Sequence, residues 1–79
     1  MDEYMTLPQE AIEMGFVASC VEHVARKLQV PYITVYEALK RTNAITDYII
    51  PFYSTLHTQS REYVNDDIIE YLRLRGEKL

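Results

Sequence analysis

The sequence predicts an all-α fold, a compact bundle of about four helices, for three reasons. Apolar residues recur at three- and four-residue steps in several stretches, with charged residues between them. No stretch alternates apolar and polar residues for long enough to demand a sheet. Prolines, an asparagine and a glycine interrupt the apolar pattern at points where helices commonly end.

The first helix is predicted to begin at residues 6–9, because Thr6 can cap free amides and Pro8 is tolerated in a first turn. The preceding residues 1–5 are expected to be disordered. A broad apolar stripe on this helix faces the core and comprises Ile12, Phe16, Val17, Cys20, Val21, Val24 and Leu28. Pro31 should end the helix, since the residue before a proline is pushed out of the helical region.

The second helix has two possible starts. It begins either with Pro31 in its first turn or at Thr34, which opens a possible capping box. It continues through Leu39 and stops near Asn43, which can adopt a left-handed conformation in place of glycine.

A third helix is predicted after a fresh cap at Thr46 and Asp47. Its buried side carries Ile49, Ile50, Tyr53 and Leu56. Pro51 is expected early enough in the helix to cost little. His57 is placed in the last turn, one helical turn after Tyr53.

The start of the last helix is open. Ser60 and Asn65 can each serve as its N-cap, so residues 61–64 are either extended or already helical. Asp66 and Asp67 then fall in or near a first turn, where acids stabilise the positive end of the helix. The buried stripe of this helix is Ile68, Tyr71 and Leu72.

The chain length sets the domain organisation. Seventy-nine residues make one helical domain, whose last helix ends at Gly76 before a frayed tail at residues 76–79. A chain this short buries only about 60–65% of its unfolded surface. We therefore expect a protein partner, or a second copy in a homodimer, to supply further support.

Charge and hydropathy restrict the expected cellular location and the expected class of binding partner. The N-terminal residues are acidic where a secretory signal is basic, and no apolar run reaches the about 18 residues that span a bilayer, so a cytoplasmic protein without membrane contact is expected. The formal net charge is −4, with twelve carboxylates against eight lysines and arginines. This balance opposes nucleic-acid binding and favours a basic protein partner.

The sequence predicts no catalytic, cofactor-binding or metal site. Asp66 and Asp67 are neighbours whose side chains point about 100° apart on a helix, and no third ligand recurs at a suitable spacing. Cys20 lies on the apolar stripe, where burial raises its pKa, so a core role is favoured. His23 lies opposite that stripe and is interpreted as a solvated surface residue.

The most informative bias in the composition is tyrosine. The chain has seven tyrosines, two phenylalanines and no tryptophan. A tyrosine offers apolar area with a polar tip and is enriched at contact surfaces, although it can equally rim a core and bond to the backbone. The candidates for a partner-binding surface are Tyr48, Tyr53, His57, Tyr63, Asp66, Asp67 and Tyr71.

Residues 42–72 carry a resemblance to a known family. They contain a Tyr-Ile-Ile segment at Tyr48, a Leu-His-Thr segment at Leu56 and an Asp-Asp-Ile segment at Asp66. In combination these segments resemble a family of short bacterial proteins catalogued as a domain of unknown function. The resemblance implies no activity. It implies a setting, because such proteins look like companions of proteins similar to ADP-ribosyltransferases, in arrangements reminiscent of toxin and antitoxin pairs.

These observations favour a small non-enzymatic protein-interaction module, antitoxin-like or accessory to an operon-encoded partner. The alternative is a helix-turn-helix DNA-binding regulator built from the helices around residues 35–41 and 48–56. Charge argues against it, because the proposed recognition helix contains neither lysine nor arginine. An enzyme is the least favoured class, since no nucleophile, metal cluster or phosphate loop can be assembled.

Overall fold

The computed structural model describes residues 7–79, in which the regular structure is entirely helical. In chain order it contains α1 (Gln9–Leu28), α2 (Tyr32–Arg41), a π-helical segment (Ile45–Ile49), α3 (Tyr53–Leu56) and α4 (Arg61–Leu74). This confirms the predicted all-α class. None of these helices is long and apolar enough to cross a membrane. The predicted Thr6 cap and the predicted disorder of residues 1–5 lie outside the described residues.

Helix α1 is the longest element and packs against both α2 and α4. The core forms where the three helices meet, and its fully buried members include Val17, Val21, Val24, Val35, Leu39, Ile68 and Leu72. The predicted stripe of α1 is therefore confirmed over its central turns. Its two ends are not enclosed, since Ile12 is 37% exposed and Leu28 is half-buried.

Local backbone chemistry sets the ends of α1 and α2. Gln29 closes α1 in a left-handed conformation with φ of 59°, so the helix ends at Leu28, three residues before Pro31. Pro31 is the N-cap residue of α2, which begins at Tyr32, and the alternative start at Thr34 is wrong. Asn43 has φ of 57°, which confirms the predicted left-handed break after α2.

The predicted third helix is wrong as a single element. The chain forms the π-helical segment Ile45–Ile49, where the amide of Ile50 donates to the carbonyl of Ile45 at 3.0 Å, and α3 follows after a turn. Pro51 explains the break, because it has no amide to donate and its ring clashes with the preceding helical turn. Pro51 lies in the turn between the π-helical segment and α3 and not in a first turn, because helical bonding already starts at the Asp47 amide, which donates to the Asn43 carbonyl at 2.9 Å.

Ser60 fixes the start of α4. Its side-chain oxygen accepts a hydrogen bond from the amide of Tyr63 at 3.1 Å, so residues 61–64 are helical. The expectation that Asp66 and Asp67 lie in the first turn is therefore wrong. The acidic residue of the first turn is Glu62.

The chain after α4 folds back onto α2. The guanidinium of Arg41 donates to both carboxylate oxygens of Glu77, from Nη2 at 2.8 Å and from Nε at 3.2 Å. Leu79 is half-buried against the core. Residues that the sequence predicts to be a frayed tail thus make both polar and apolar contacts.

Replacing Ser60 tests the cap of α4. Ser60→Ala removes the acceptor for the Tyr63 amide, and we expect the free energy of unfolding to fall by about 1 kcal/mol. Urea denaturation followed by circular dichroism measures the change. The matched control is Ser54→Ala, an exposed serine within α3. Equal midpoints for the wild type and Ser60→Ala would show that the cap contributes no stability.

Candidate functional site

The residues predicted to form one contact surface do not lie together. His57 lines a cavity between α1, α3 and α4. Tyr48, Asp67 and Tyr71 line a depression beside α4. Asp66 lies in an ion-pair cluster on another side of α4. The sequence therefore identified residues near several surfaces but not a single site.

The cavity between α1, α3 and α4, called here the histidine cavity, has a volume of about 260 Å³. Its polar lining consists of Ser19, His23, His57, Gln59, Arg61 and Asn65. Its apolar lining consists of Phe16, Cys20, Leu56 and Val64. The buried members form the inner wall and the exposed ones form the rim, so the site combines an apolar interior with a polar mouth.

His23 joins α1 to α4 across this cavity. Its Nδ1 lies 2.6 Å from the Ser19 carbonyl oxygen, and its Nε2 contacts Nη1 of Arg61. Because a carbonyl only accepts and a guanidinium only donates, both contacts fit a neutral ring with its proton on Nδ1. The interpretation of His23 as a solvated surface residue is wrong. Sequence spacing gave no signal for it, since its partner lies 38 positions away.

His57 and Tyr53 form the predicted i,i+4 pair. Their rings stack with centroids 4.5 Å apart and an interplanar angle of 9°. Nδ1 of His57 donates to the Tyr53 carbonyl at 2.8 Å, which holds the imidazole over the tyrosine ring. Phe16 of α1 meets Tyr53 edge-on at 5.3 Å, so this aromatic group fixes α3 against α1.

Cys20 forms part of the inner wall and is 5% exposed. Burial raises the pKa of its thiol to about 11, and the positive charge of Arg61 offsets part of that rise. The predicted core role of Cys20 is confirmed. A protonated, enclosed thiol is a poor nucleophile. Because its pKa depends on the charge of Arg61, the reactivity of Cys20 can be used to detect the guanidinium.

Asn65 is the residue that sequence reasoning misread. Its residue type permits an N-cap, but Asn65 lies inside α4 and is 6% exposed. Within residues 7–79 its side-chain amide makes no hydrogen bond, and the only fully enclosed polar atom without a partner belongs to Tyr48. The amide of Asn65 therefore faces the histidine cavity. Its spacing from Ile68 and Ile69 places it on the buried face of α4 and was the available signal.

Tyr48, Tyr71 and Arg75 form a stack that attaches the π-helical segment to α4. The two tyrosine rings lie 4.6 Å apart at 10°, and the guanidinium carbon of Arg75 lies 3.6 Å from the centre of the Tyr71 ring. The Tyr48 hydroxyl is enclosed and has no partner among the described residues. Both rings are half-buried, so each offers only part of its surface to a partner.

Asp66 takes part in an ion-pair cluster between α1 and α4. Nζ of Lys27 lies 3.0 Å from Oδ1 of Asp66 and also contacts Glu62. Hydrogen bonds to Glu62 and then Asp66 raise the pKa of the Lys27 ammonium. Asp67 instead lines the depression beside Tyr48, in agreement with the predicted divergence of the two aspartates. In residues 7–79 no group of three histidine, cysteine or acidic side chains is arranged to hold a metal.

A second concave surface, called here the apolar groove, lies between α1, α2 and the π-helical segment and has a volume of about 390 Å³. Its lining residues are Met14, Tyr36, Leu39, Lys40, Asn43, Ile45, Thr46 and Ile50. Lys40 extends over the Tyr36 ring with its Nζ 5.5 Å from the ring centre. Sequence spacing does not indicate this groove, because its residues come from α1, α2 and the chain around the π-helical segment.

The Tyr63 side chain, by contrast, is 53% exposed and belongs to neither concave surface. Its backbone amide donates to the Ser60 side chain, but its side chain makes no hydrogen bond within residues 7–79. Its ring is thus accessible, as a contact residue requires.

The helices and their surfaces define a small all-α module with two concave sites. The chain belongs to the family described as protein of unknown function DUF3791, whose model matches residues 15–75. The match includes all the residues that line the histidine cavity and all of the apolar groove except Met14. Neither the curated proteins nor the solved structures contain a significant match.

Proposed function

We propose that this protein is a non-enzymatic interaction module of the bacterial cytoplasm, an accessory or antitoxin-like subunit that docks a partner protein in the apolar groove. The observation that carries the proposal is the amount of apolar side chain left uncovered in and around the folded core. Among residues 7–79, the large apolar side chains that are at least 37% exposed are Leu7, Ile12, Met14, Tyr32, Ile33, Phe52, Tyr63 and Leu74.

The apolar groove adjoins that surface at Met14, the one of these residues that lines it. Leu39 is fully buried at its base, while Tyr36, Ile45 and Ile50 are half-buried and Met14 is 48% exposed. Covering apolar surface contributes about 25 cal/mol per Å². A groove between helices with a flexible methionine at its edge is typical of sites that receive the apolar face of an amphipathic helix. We assign that element to the partner.

Charge narrows the nature of the partner helix. Lys40 is the charged residue among those lining the groove. The partner helix therefore carries an acidic residue opposite Lys40, next to its apolar face. The net charge of −4 favours a partner that is basic elsewhere.

The family resemblance suggests where to find that partner. Short proteins of this kind look like companions of ADP-ribosyltransferase-like proteins, so the product of the adjacent gene is the first candidate. A protein partner is supported over DNA by the split of the third helix. It leaves only Tyr53–Leu56 as α-helix in the segment that a recognition helix would occupy, and that segment lacks lysine and arginine.

The test is co-expression of the chain with the product of its adjacent gene. We expect the tagged chain to recover that protein in a one-to-one ratio. Met14→Glu places a carboxylate in the apolar groove, and burial of the charge should weaken binding by at least about tenfold. Isothermal titration of the purified proteins measures the change.

Leu74→Glu is the matched control, because Leu74 is 74% exposed and lies outside the groove. It should bind the partner as the wild type does. Equal weakening by both substitutions, or no stoichiometric complex with the wild type, contradicts the proposal. Sedimentation of the chain alone tests whether a second copy occupies the groove. A homodimer that Met14→Glu disrupts would show that the occupant is a second copy and not a partner helix.

A further inference from the structure

We propose that the histidine cavity binds a singly charged carboxylate, held by Arg61 at the mouth and Asn65 on the inner wall. This site is separate from the apolar groove, and its existence does not depend on the proposed partner. Three observations carry it: a largely buried asparagine whose amide reaches the cavity and has no partner among residues 7–79, a guanidinium at the mouth of the cavity, and apolar walls.

The amide of Asn65 is the first observation. The residue is 94% buried, being 6% exposed, and its side chain makes no hydrogen bond within residues 7–79. Neither polar atom of this amide is among the fully enclosed ones that lack a partner, so the part of Asn65 that remains accessible includes the amide. The Asn65 amide lines the cavity, so a bound molecule can accept from its two N–H groups.

Arg61 is the second observation. Among residues 7–79, Arg61 forms no ion pair with a carboxylate, a property it shares with Lys40, Arg73, Arg75 and Lys78, but of these five residues it is the one that lines the histidine cavity. Its guanidinium contacts His23 through Nη1, which leaves N–H donors on the remaining nitrogens. Arg61 and Asn65 are one helical turn apart on α4, so both act on the same side of the cavity.

His23 positions the guanidinium. The bond from Nδ1 to the Ser19 carbonyl fixes the imidazole, and Nε2 then receives one donor of Arg61. Arg61 is the one arginine or lysine among the residues that line the cavity.

The size and charge of the cavity identify the class of ligand. A volume of about 260 Å³ is slightly below that of sites for drug-sized molecules, which start at about 300 Å³. One guanidinium matches one carboxylate and leaves a phosphate dianion under-neutralised. Phe16, Leu56 and Val64 provide contacts for a short aliphatic stem. A free short-chain carboxylate and the side chain of a glutamate both have this chemistry.

The experiment is a titration of the full ¹⁵N-labelled chain followed by NMR, observing the Asn65 side-chain amide and the Arg61 Nε–H. The probes are sodium butyrate and N-acetylglutamate amide, compared with the neutral isostere N-acetylglutamine amide and with inorganic phosphate. We expect saturable shifts with a dissociation constant of about 1–10 mM for a carboxylate probe, and none for the glutamine isostere.

Arg61→Gln should weaken binding of the carboxylate probe by at least about tenfold, because it removes the charge-assisted bonds. Arg26→Gln is the matched control, because this substitution makes the same change in net charge at an exposed residue outside the cavity. Saturation by butyrate, with or without the glutamate probe, supports a site open to free carboxylates. Saturation by the glutamate probe alone supports a site for a glutamate side chain.

Four results would overturn the proposal. They are the absence of saturation by either carboxylate up to about 50 mM, equal shifts with the glutamine isostere, tighter binding of phosphate than of carboxylate, and unchanged binding in Arg61→Gln. Because Arg61 is exposed, that variant should fold, and its circular dichroism spectrum verifies this.

Discussion

Leu39→Ala should lower the free energy of unfolding by about 2–5 kcal/mol, the range for removing a large aliphatic side chain from a packed core. Leu39 lies in α2 and is fully buried where α2 meets α1. The substitution loses the transfer free energy of the removed methyl and methylene groups and leaves a cavity. A chain of this length has a total stability of about 4–12 kcal/mol, so the variant should be partly unfolded at moderate temperature.

Urea denaturation at 25 °C measures this loss, with Leu74→Ala as the control. Leu74 is in α4, where it is 74% exposed, so the same chemical change should shift stability by less than about 0.5 kcal/mol. Similar midpoints for the two variants would show that α2 is not packed as described. A difference close to the expected range would confirm the packing of α1 on α2.

Periodicity and local chemistry were sufficient to predict that α1, α2 and α4 exist, although they left the starts of α2 and α4 open. The stripe of α1 follows directly from apolar spacing, and Asn43 and Ser60 act locally through their own conformation or side chain. The prediction of a single third helix was wrong for a physical reason that residue spacing does not show. The effect of Pro51 depends on where the helix starts, and that start lies further towards the N-terminus than the Thr46 cap suggested.

The concave surfaces could not be predicted because they depend on tertiary pairing. His23 meets Arg61 across 38 positions, and Lys27 meets Glu62 across 35. No local rule relates such residues. Short-range relations were more tractable, since the Tyr53 and His57 rings stack as their i,i+4 spacing predicts. Asn65 lies between these two cases. Its spacing from Ile68 and Ile69 indicates the buried face of α4, but its residue type is typical of an N-cap.

The state of Cys20 links the core to the histidine cavity. Its thiol is enclosed by α1 and its neighbours, while the guanidinium of Arg61 acts on it across the cavity. Removing that positive charge should raise the pKa of Cys20 further. The reactivity of one buried thiol therefore measures whether Arg61 lies beside the cavity, without any ligand.

Iodoacetamide should alkylate Cys20 in the folded chain at least about a hundredfold more slowly than in the urea-unfolded chain at the same neutral pH. Burial raises the thiol pKa from 9.0 to about 11, which lowers the thiolate fraction, and enclosure restricts access further. The rate in the folded chain should keep rising with pH towards about 11, whereas the rate in the unfolded chain levels off near 9.0. Mass spectrometry of quenched samples gives both rates.

The same shift in pKa affects stability with a definite sign. The folded state holds the Cys20 proton more tightly, so this contribution is fully present below about pH 9, the unfolded pKa, and is lost as the pH rises towards about 11. Cys20→Ala should lack that alkaline component, and Arg61→Gln should slow alkylation beyond the wild type. Arg26→Gln, which removes a charge outside the cavity, should alkylate at the wild-type rate. A folded-state profile that levels off near pH 9 would mean that the thiol is open to water, and equal alkylation rates for Arg61→Gln and the wild type would mean that Arg61 does not act on Cys20.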